Sequence, residues 1–305
     1  MRILASDGME KTAVAALIKK GHEVVLPETT PTPLELAQLV KEFDVLVVRS
    51  ATKVRVPIID SAAEAGRLKL IIRGGVGIDN IDHKYAEEKG IAVRNTPRAS
   101  SDAVAELALA HMLSCARFVS AAGHSMRENK WEKKAYAKGI ELAGKTLGVI
   151  GYGRIGQSLG RKAQALGMKV LAYDIFHVEG IENENMKYVE MDELLANSDF
   201  ISLHTPSLDG KPLINEETIA KMKDGVNIIN TSRGANIDEA ALLAALESGK
   251  VRSAGLDVWA EEPSQNAALY SHPMVSCTPH IGASTVEAQK RIGAEIVDII
   301  GKFFA

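Results

Sequence analysis

Cysteine is scarce: the chain holds two, Cys115 and Cys277. So few thiols exclude a disulfide-stapled scaffold or a thiolate metal centre, and both, set in apolar stretches, are expected in the core of a protein from a reducing compartment. Basic charge is not in excess. Lys and Arg number 36 against 39 Asp and Glu, a formal net charge of −3, which removes the usual electrostatic support for nucleic-acid binding. No stretch approaches about 18 uninterrupted apolar residues, and the opening M-R-I-L-A-S-D-G is too short a run for a signal peptide, so a soluble cytoplasmic protein without a membrane partner is expected. His22, His83, His111, His124, His177 and His272 are scattered without a ligand spacing such as H-E-x-x-H, and no metal is implied. Internal repeats and low-complexity tracts are also missing.

What is present is an ordinary globular balance, 46% hydrophobic and 25% charged, over 305 residues. At roughly 150 residues per domain, that length suggests two domains, each able to bury a core. From the start, short β-branched runs alternate with helical patterns: I-L-A-S, E-K-T-A-V-A-A-L-I-K-K, G-H-E-V-V-L-P, P-L-E-L-A-Q-L-V-K-E-F and D-V-L-V-V-R-S. This βαβ rhythm continues to Ile91–Asn95 and predicts a parallel sheet covered on both faces, ending near Thr96-Pro97. Ser100 to about Asn129 reads as the longest helical pattern, crossing between domains, with a second face free for another subunit. A second series starts at T-L-G-V-I-G (Thr146 to Gly151) and runs to V-R-S-A-G-L-D-V. The last helix opens with S-T-V-E, read as a capping box from Ser284 to Glu287, and carries an apolar face of Ile292, Ile296, Ile299, Ile300 and Phe303 that must be buried. Returning that helix to the first domain would make the domain discontinuous: 1–97 with 286–305 on one side, 98–285 on the other.

The sequence G-Y-G-R-I-G places Gly151, Gly153 and Gly156 directly after the strand T-L-G-V-I and before a helical stretch. In that context the first glycine permits a tight turn, the second lets a pyrophosphate approach the backbone, and the third lets helix and strand pack closely. The helix N-terminus attracts the anion. Arg154 can add a phosphate contact, and Ile155 completes the loop. Asp174 ends the next strand, about 20 residues further on, where a carboxylate accepts from ribose hydroxyls and repels a 2′-phosphate. With Ile175 and Phe176 following it and no arginine, NAD is expected rather than NADP.

Three further segments are N-T-S-R-G (Asn230 to Gly234), G-L-D-V-W-A-E-E-P (Gly255 to Pro263) and T-P-H-I-G-A-S-T (Thr278 to Thr285). With the glycine loop they resemble the D-isomer-specific 2-hydroxyacid dehydrogenase family. The likeness covers nearly the whole chain, since R-S-A-T (Arg49 to Thr52), R-G-G-V-G-I-D-N-I-D (Arg73 to Asp82) and N-T-P (Asn95 to Pro97) also look like family signatures. Within the family the chain looks most like the D-3-phosphoglycerate dehydrogenase branch. The resemblance implies a Rossmann NAD-binding domain and a flavodoxin-like substrate domain, both doubly wound α/β units, with the C-terminal helix completing the second. It also implies a homodimer.

By the same resemblance the catalytic arginine is Arg233, the glutamate Glu262 and the histidine His280. Their chemistry suits a 2-keto acid. Arg233 is a permanent planar cation for the substrate carboxylate or ketone; protonated His280 donates to the forming alkoxide; Glu262 orients the imidazole and favours its charged form. Singly, each is an ordinary strand-end or loop residue; jointly, in one nucleotide-binding unit, they point to a site. Thr205, Thr231, Ser232 and Asp257 are implied on the nicotinamide side, with Ile281, Gly282, Ala283 and Val76 also touching NAD. Arg49, Thr52, Arg73 and Gly75 are implied on the substrate side, and the paired arginines suit a phosphorylated acid. The expected reaction is oxidation of D-3-phosphoglycerate to 3-phosphohydroxypyruvate, the first step of serine synthesis. Another D-2-hydroxyacid dehydrogenase (hydroxypyruvate, glyoxylate or D-lactate) and a non-catalytic NAD-sensing corepressor are the alternatives. Since the chain stops after the closing helix, weak or absent serine inhibition is expected.

Overall fold

The computed structural model describes residues 1–207 and 211–305. Two compact units emerge, 1–100 with 283–305 and 101–282, changing over a few residues from the bounds read in the sequence.

The first unit is a five-stranded sheet of β1 (Arg2–Ala5), β2 (Glu23–Val25), β3 (Val45–Val48), β4 (Leu70–Arg73) and β5 (Ala92–Asn95), in the order β2-β1-β3-β4-β5. Every pairing is parallel. β3 reads V-L-V-V and is buried at all four positions, as a strand with layers on both faces must be. This is the flavodoxin-like order, whose direction of winding reverses beside β1. The segments after β1 and β3, holding Asp7 and Arg49 to Thr52, therefore sit at a switch point, where such sheets take ligands. The C-terminal helix, Val286–Phe303, buries Ile292, Ile296 and Ile300 in one cluster with Ile3, Val45, Val47, Leu70 and Ile72. Phe303, expected on the buried face, stays exposed with its ring edge-on to Phe304. The capping box expected from Ser284 to Glu287 is replaced by a cap one residue later, where the Thr285 hydroxyl accepts from the Ala288 amide at 3.1 Å. Two adjacent hydroxyl residues compete for that role, and the side chain that reaches the third helical amide wins.

The second unit holds seven strands: β6 (Thr146–Ile150), β7 (Lys169–Tyr173), β8 (Met186–Tyr188), β9 (Phe200–Leu203), β10 (Val226–Asn230), β11 (Val251–Leu256) and β12 (Val275–Cys277). Their order is β12-β11-β10-β9-β6-β7-β8, again all parallel. Winding reverses between β6 and β9. The glycine loop follows β6 and the L-H-T-P segment follows β9, so both stand at the crevice where dinucleotides bind in doubly wound sheets. The long helical pattern after Ser100 is two helices, α1 (Ser101–Arg117) and α2 (Val119–Arg127), bent by 70°. Phe118 breaks it with a left-handed φ of 58°, its ring beneath the Arg252 guanidinium, a tertiary anchor that no local glycine or proline announces. Cys115 is buried as expected, but Cys277 is exposed: it ends a strand at the sheet's edge. No single helix among the described residues is long and apolar enough to cross a membrane.

Candidate active site

The glycine loop feeds α3 (Arg154–Ala165), whose N-cap is Gly153. Among the described residues no side chain caps that 12-residue helix, which suits its first amides to an anion. A Cβ at Gly153 would meet nothing within 4 Å, an open flank along which a pyrophosphate can approach, whereas one at Gly156 would lie 2.3 Å from the Gly151 carbonyl oxygen. The loop fits the dinucleotide on both counts. Arg154 is exposed at its lip and Ile155 half-buried behind it. Asp174, just beyond β7, accepts from the Tyr152 amide at 2.6 Å and the Phe176 amide at 3.0 Å. Those bonds tie the carboxylate to the loop.

Beside this loop, the segments after β9 and β10 form one hydrogen-bonded brace. The Asn230 side chain accepts from the Ser232 amide and hydroxyl and donates to the Arg233 carbonyl at 2.8 Å. Asn236 donates to the Thr205 carbonyl, the Thr205 hydroxyl and the Ser232 hydroxyl. Both asparagines are 1% exposed, so their bonds fix the backbone that presents Arg233. The hydroxyl of Ser232 is thus committed to the protein, while the Thr231 hydroxyl is buried with no partner among the described residues. Such an orphan at a strand's carboxyl end fits a polar group of a bound cofactor. Arg233 itself bonds the Ser232 carbonyl through Nη1 at 2.6 Å.

Glu262 and His280 meet at 2.6 Å, Oε2 to Nδ1. The other carboxylate oxygen accepts from the Trp259 amide at 3.3 Å. Burial pushes the Glu262 carboxyl up, but the hydrogen bond and charge of His280, the Trp259 amide and the charge of Arg233 outweigh it and hold it below its usual range. With Nδ1 committed to a carboxylate, Nε2 is the ring nitrogen left to exchange a proton with substrate. The backbone of His280 is left-handed, φ 53°, a conformation costing a β-carbon residue about 1 kcal/mol or more unless its surroundings enforce it. Asp257 is what enforces it. Its carbonyl accepts from the His280 amide at 2.8 Å, its Oδ1 from the Ile281 amide at 2.7 Å and its Oδ2 from the Gly282 amide at 2.8 Å. The Thr278 hydroxyl adds a fourth bond, to Oδ1, at 2.7 Å. Burial raises the Asp257 carboxyl above its ordinary value despite these donors.

In the first unit, Arg49 follows β3 and Arg73 ends β4, with Val48 and Arg73 paired across the two strands. Asp7 accepts from the Arg49 amide at 2.6 Å and the Thr52 amide at 3.1 Å, and Asn80 donates to the carbonyls of both residues. The Thr52 hydroxyl is buried on Asp7 and Ser6, so its side chain anchors the loop. Gly75 has φ 153°, and a Cβ there would coincide with the Arg73 guanidinium, 1.3 Å from Nη1. The glycine is what lets that cation lie over the loop. Val76 is partly exposed, its carbonyl accepting from Asn95, and Ala283, half-buried, accepts from Gln289 through its own carbonyl.

Sequence reasoning missed Asp7, Asn80, Asn230 and Asn236, all of which act through the backbone or through other side chains. Among the described residues no cluster of three or more His, Cys, Asp or Glu is placed to hold a metal.

Comparison with known proteins agrees with this geometry. A family model described as the NAD-binding domain of D-isomer specific 2-hydroxyacid dehydrogenases matches residues 109–282. The chain is similar to a hydroxypyruvate reductase of Thermotoga maritima, 51% identical over 99% of this chain and 97% of that protein. It is 44% identical to a D-3-phosphoglycerate dehydrogenase of Methanocaldococcus jannaschii over 99% of its own length, but spans only 57% of that protein. Among solved structures, a D-lactate dehydrogenase from Aquifex aeolicus, complexed with NAD and lactic acid, matches with a TM-score of 0.85 at 31% identity, covering 100% of this chain and 95% of that one.

Proposed function

The chain belongs to the D-isomer specific 2-hydroxyacid dehydrogenase family and is an NAD-dependent enzyme of it, and from that premise we propose that it interconverts D-3-phosphoglycerate and 3-phosphohydroxypyruvate. NAD, when bound, supplies the acceptor for the hydride leaving C2 of the hydroxy acid. The chain's own residues supply the rest. Gly151, Gly153, Arg154, Ile155 and Gly156 are proposed to hold the pyrophosphate, Asp174 the ribose, and Thr205, Thr231 and Asp257 the nicotinamide side. On oxidation His280 Nε2 takes the hydroxyl proton, and on reduction it returns that proton to the alkoxide oxygen, while Glu262 keeps the ring oriented through Nδ1. Arg233 is proposed to clamp the carboxylate or polarise the ketone.

The observation that carries the choice of acid is the pair of cations at neighbouring strand ends, Arg49 and Arg73, more positive charge than an unphosphorylated acid needs. A second reading, reduction of hydroxypyruvate, is favoured by the 51% identity to a reductase that the chain matches almost end to end. NADH oxidation with 3-phosphohydroxypyruvate, hydroxypyruvate, glyoxylate and pyruvate, compared by kcat/KM, separates the two. We expect a preference of about 100-fold for the phosphorylated acid, about 2.7 kcal/mol of discrimination, that collapses in Arg49→Ala and Arg73→Ala. Preference for hydroxypyruvate by the native protein would select the second reading.

A further inference from the structure

His111 lies on α1, 2% exposed, and burial pushes its imidazole down to about 4, so the ring is neutral. It bridges two hydroxyls. Nδ1 stands 3.0 Å from the Ser276 hydroxyl and Nε2 3.0 Å from the Thr278 hydroxyl. The single proton of Thr278 goes to Asp257 Oδ1, so the threonine oxygen must accept from the ring, and the proton of the neutral imidazole is on Nε2. Nδ1 then accepts from Ser276. Each group in the series has one role: Ser276 donates to His111, His111 to Thr278, and Thr278 to Asp257. Room for the ring is made by the facing strand, because a Cβ at Gly255 would lie 2.5 Å from the His111 Cβ.

We propose that His111 is a positioning residue for the reaction, acting through Thr278 and Asp257 to hold the left-handed turn on which His280 sits. The inference rests on the role given to His280 above. The hydroxyl of Thr278 could otherwise rotate, leaving Asp257 with only its two amide donors and the His280 turn with a looser post. A fixed rotor keeps both carboxylate oxygens in register with the Ile281 and Gly282 amides, and through them the proton-exchanging ring within hydrogen-bond reach of the substrate oxygen. Neither His111 nor Thr278 touches the reacting atoms in this scheme; they set where His280 stands.

The test is a set of variants assayed with NADH and the preferred 2-keto acid: His111→Phe, His111→Gln, Thr278→Val, Thr278→Ser and the double variant His111→Phe/Thr278→Val. We expect His111→Phe and Thr278→Val each to lower kcat about 10- to 100-fold, with KM for the keto acid within about twofold and NADH still bound stoichiometrically by fluorescence titration. His111→Gln, which restores a donor near the Nε2 position, and Thr278→Ser recover most of the loss. The double variant is no slower than Thr278→Val alone, because both substitutions cut one series. Native kcat in His111→Phe, or losses that multiply in the double variant, overturns the proposal. Where His111→Phe does not fold, the near-isosteric Thr278→Val and its partner Thr278→Ser decide alone: native kcat in both overturns it. Absence of any turnover by the native protein would instead sink the role of His280. The series is then read by long-range proton–nitrogen NMR, where a proton on Nε2 of His111 supports it and one on Nδ1 overturns it.

Discussion

Replacing His280 with alanine is expected to lower kcat about 10²–10⁴-fold while NADH binding, followed by fluorescence, stays within a few-fold of native. The reason lies in what the ring does and what it does not do. Its Nδ1 is held by Glu262 at 2.6 Å, leaving Nε2 as the proton donor and acceptor, whereas the glycine loop and Asp174 that are proposed to hold the dinucleotide are separate from it along the chain. A companion change, Glu262→Gln, keeps the shape but removes the charge. Because the folded protein holds the Glu262 carboxyl below its usual range, the group is ionised across the neutral region and loses its charge only as pH falls through that lowered value. In Glu262→Gln the acid-side loss of kcat that comes from protonating this carboxylate is expected to disappear, with a smaller loss of kcat than in His280→Ala. An acid limb of kcat/KM unchanged by the glutamine would contradict Glu262 as the group that orients His280.

Arg233→Met is expected to cost about 10²–10³-fold in kcat/KM for the keto acid, comparable to deleting one preorganised donor from an oxyanion site. Arg233→Lys should recover little, since an ammonium supplies a point charge where a planar fork is needed. Two buried asparagines make the guanidinium's position costly to imitate: Asn230 holds the Arg233 carbonyl and Asn236 ties the Ser232 hydroxyl to the Thr205 segment. That preorganisation belongs to the backbone, so it survives in both variants and isolates the effect of the head group. Steady-state kinetics with the 2-keto acid at saturating NADH provide the check. Full recovery by lysine would show that Arg233 acts as a bulk charge and not as a fork.

The parts of the fold and site legible in the sequence are those written locally. Strand runs such as V-L-V-V and the strand, glycine loop and helix around Gly151 to Gly156 carry their signal within a few residues, and the structure places them at the two switch points. Arg233, Glu262 and His280 were legible only through resemblance, because nothing in their spacing says that residues 233, 262 and 280 follow neighbouring strands of one sheet. What the sequence hid is long-range or depends on one competing bond. The partners of His111 are 165 and 167 residues away, and Asp7 serves amides more than 40 residues on. The break at Phe118 and the cap at Thr285 hinge on a tertiary cation contact and on which of two adjacent hydroxyls reaches an amide. Helical periodicity and cap patterns are blind to both. Cys277 looked apolar by its neighbours, yet at the end of an edge strand its side chain is exposed.

The most direct test of the account is the handedness of the product: the native protein, NADH and a prochiral 2-keto acid, with NADH oxidation followed by absorbance and the hydroxy acid resolved by chiral chromatography. The account predicts stoichiometric NADH oxidation and the D-hydroxy acid alone. NADH bound without turnover on any 2-keto acid, or formation of the L-acid, would contradict it.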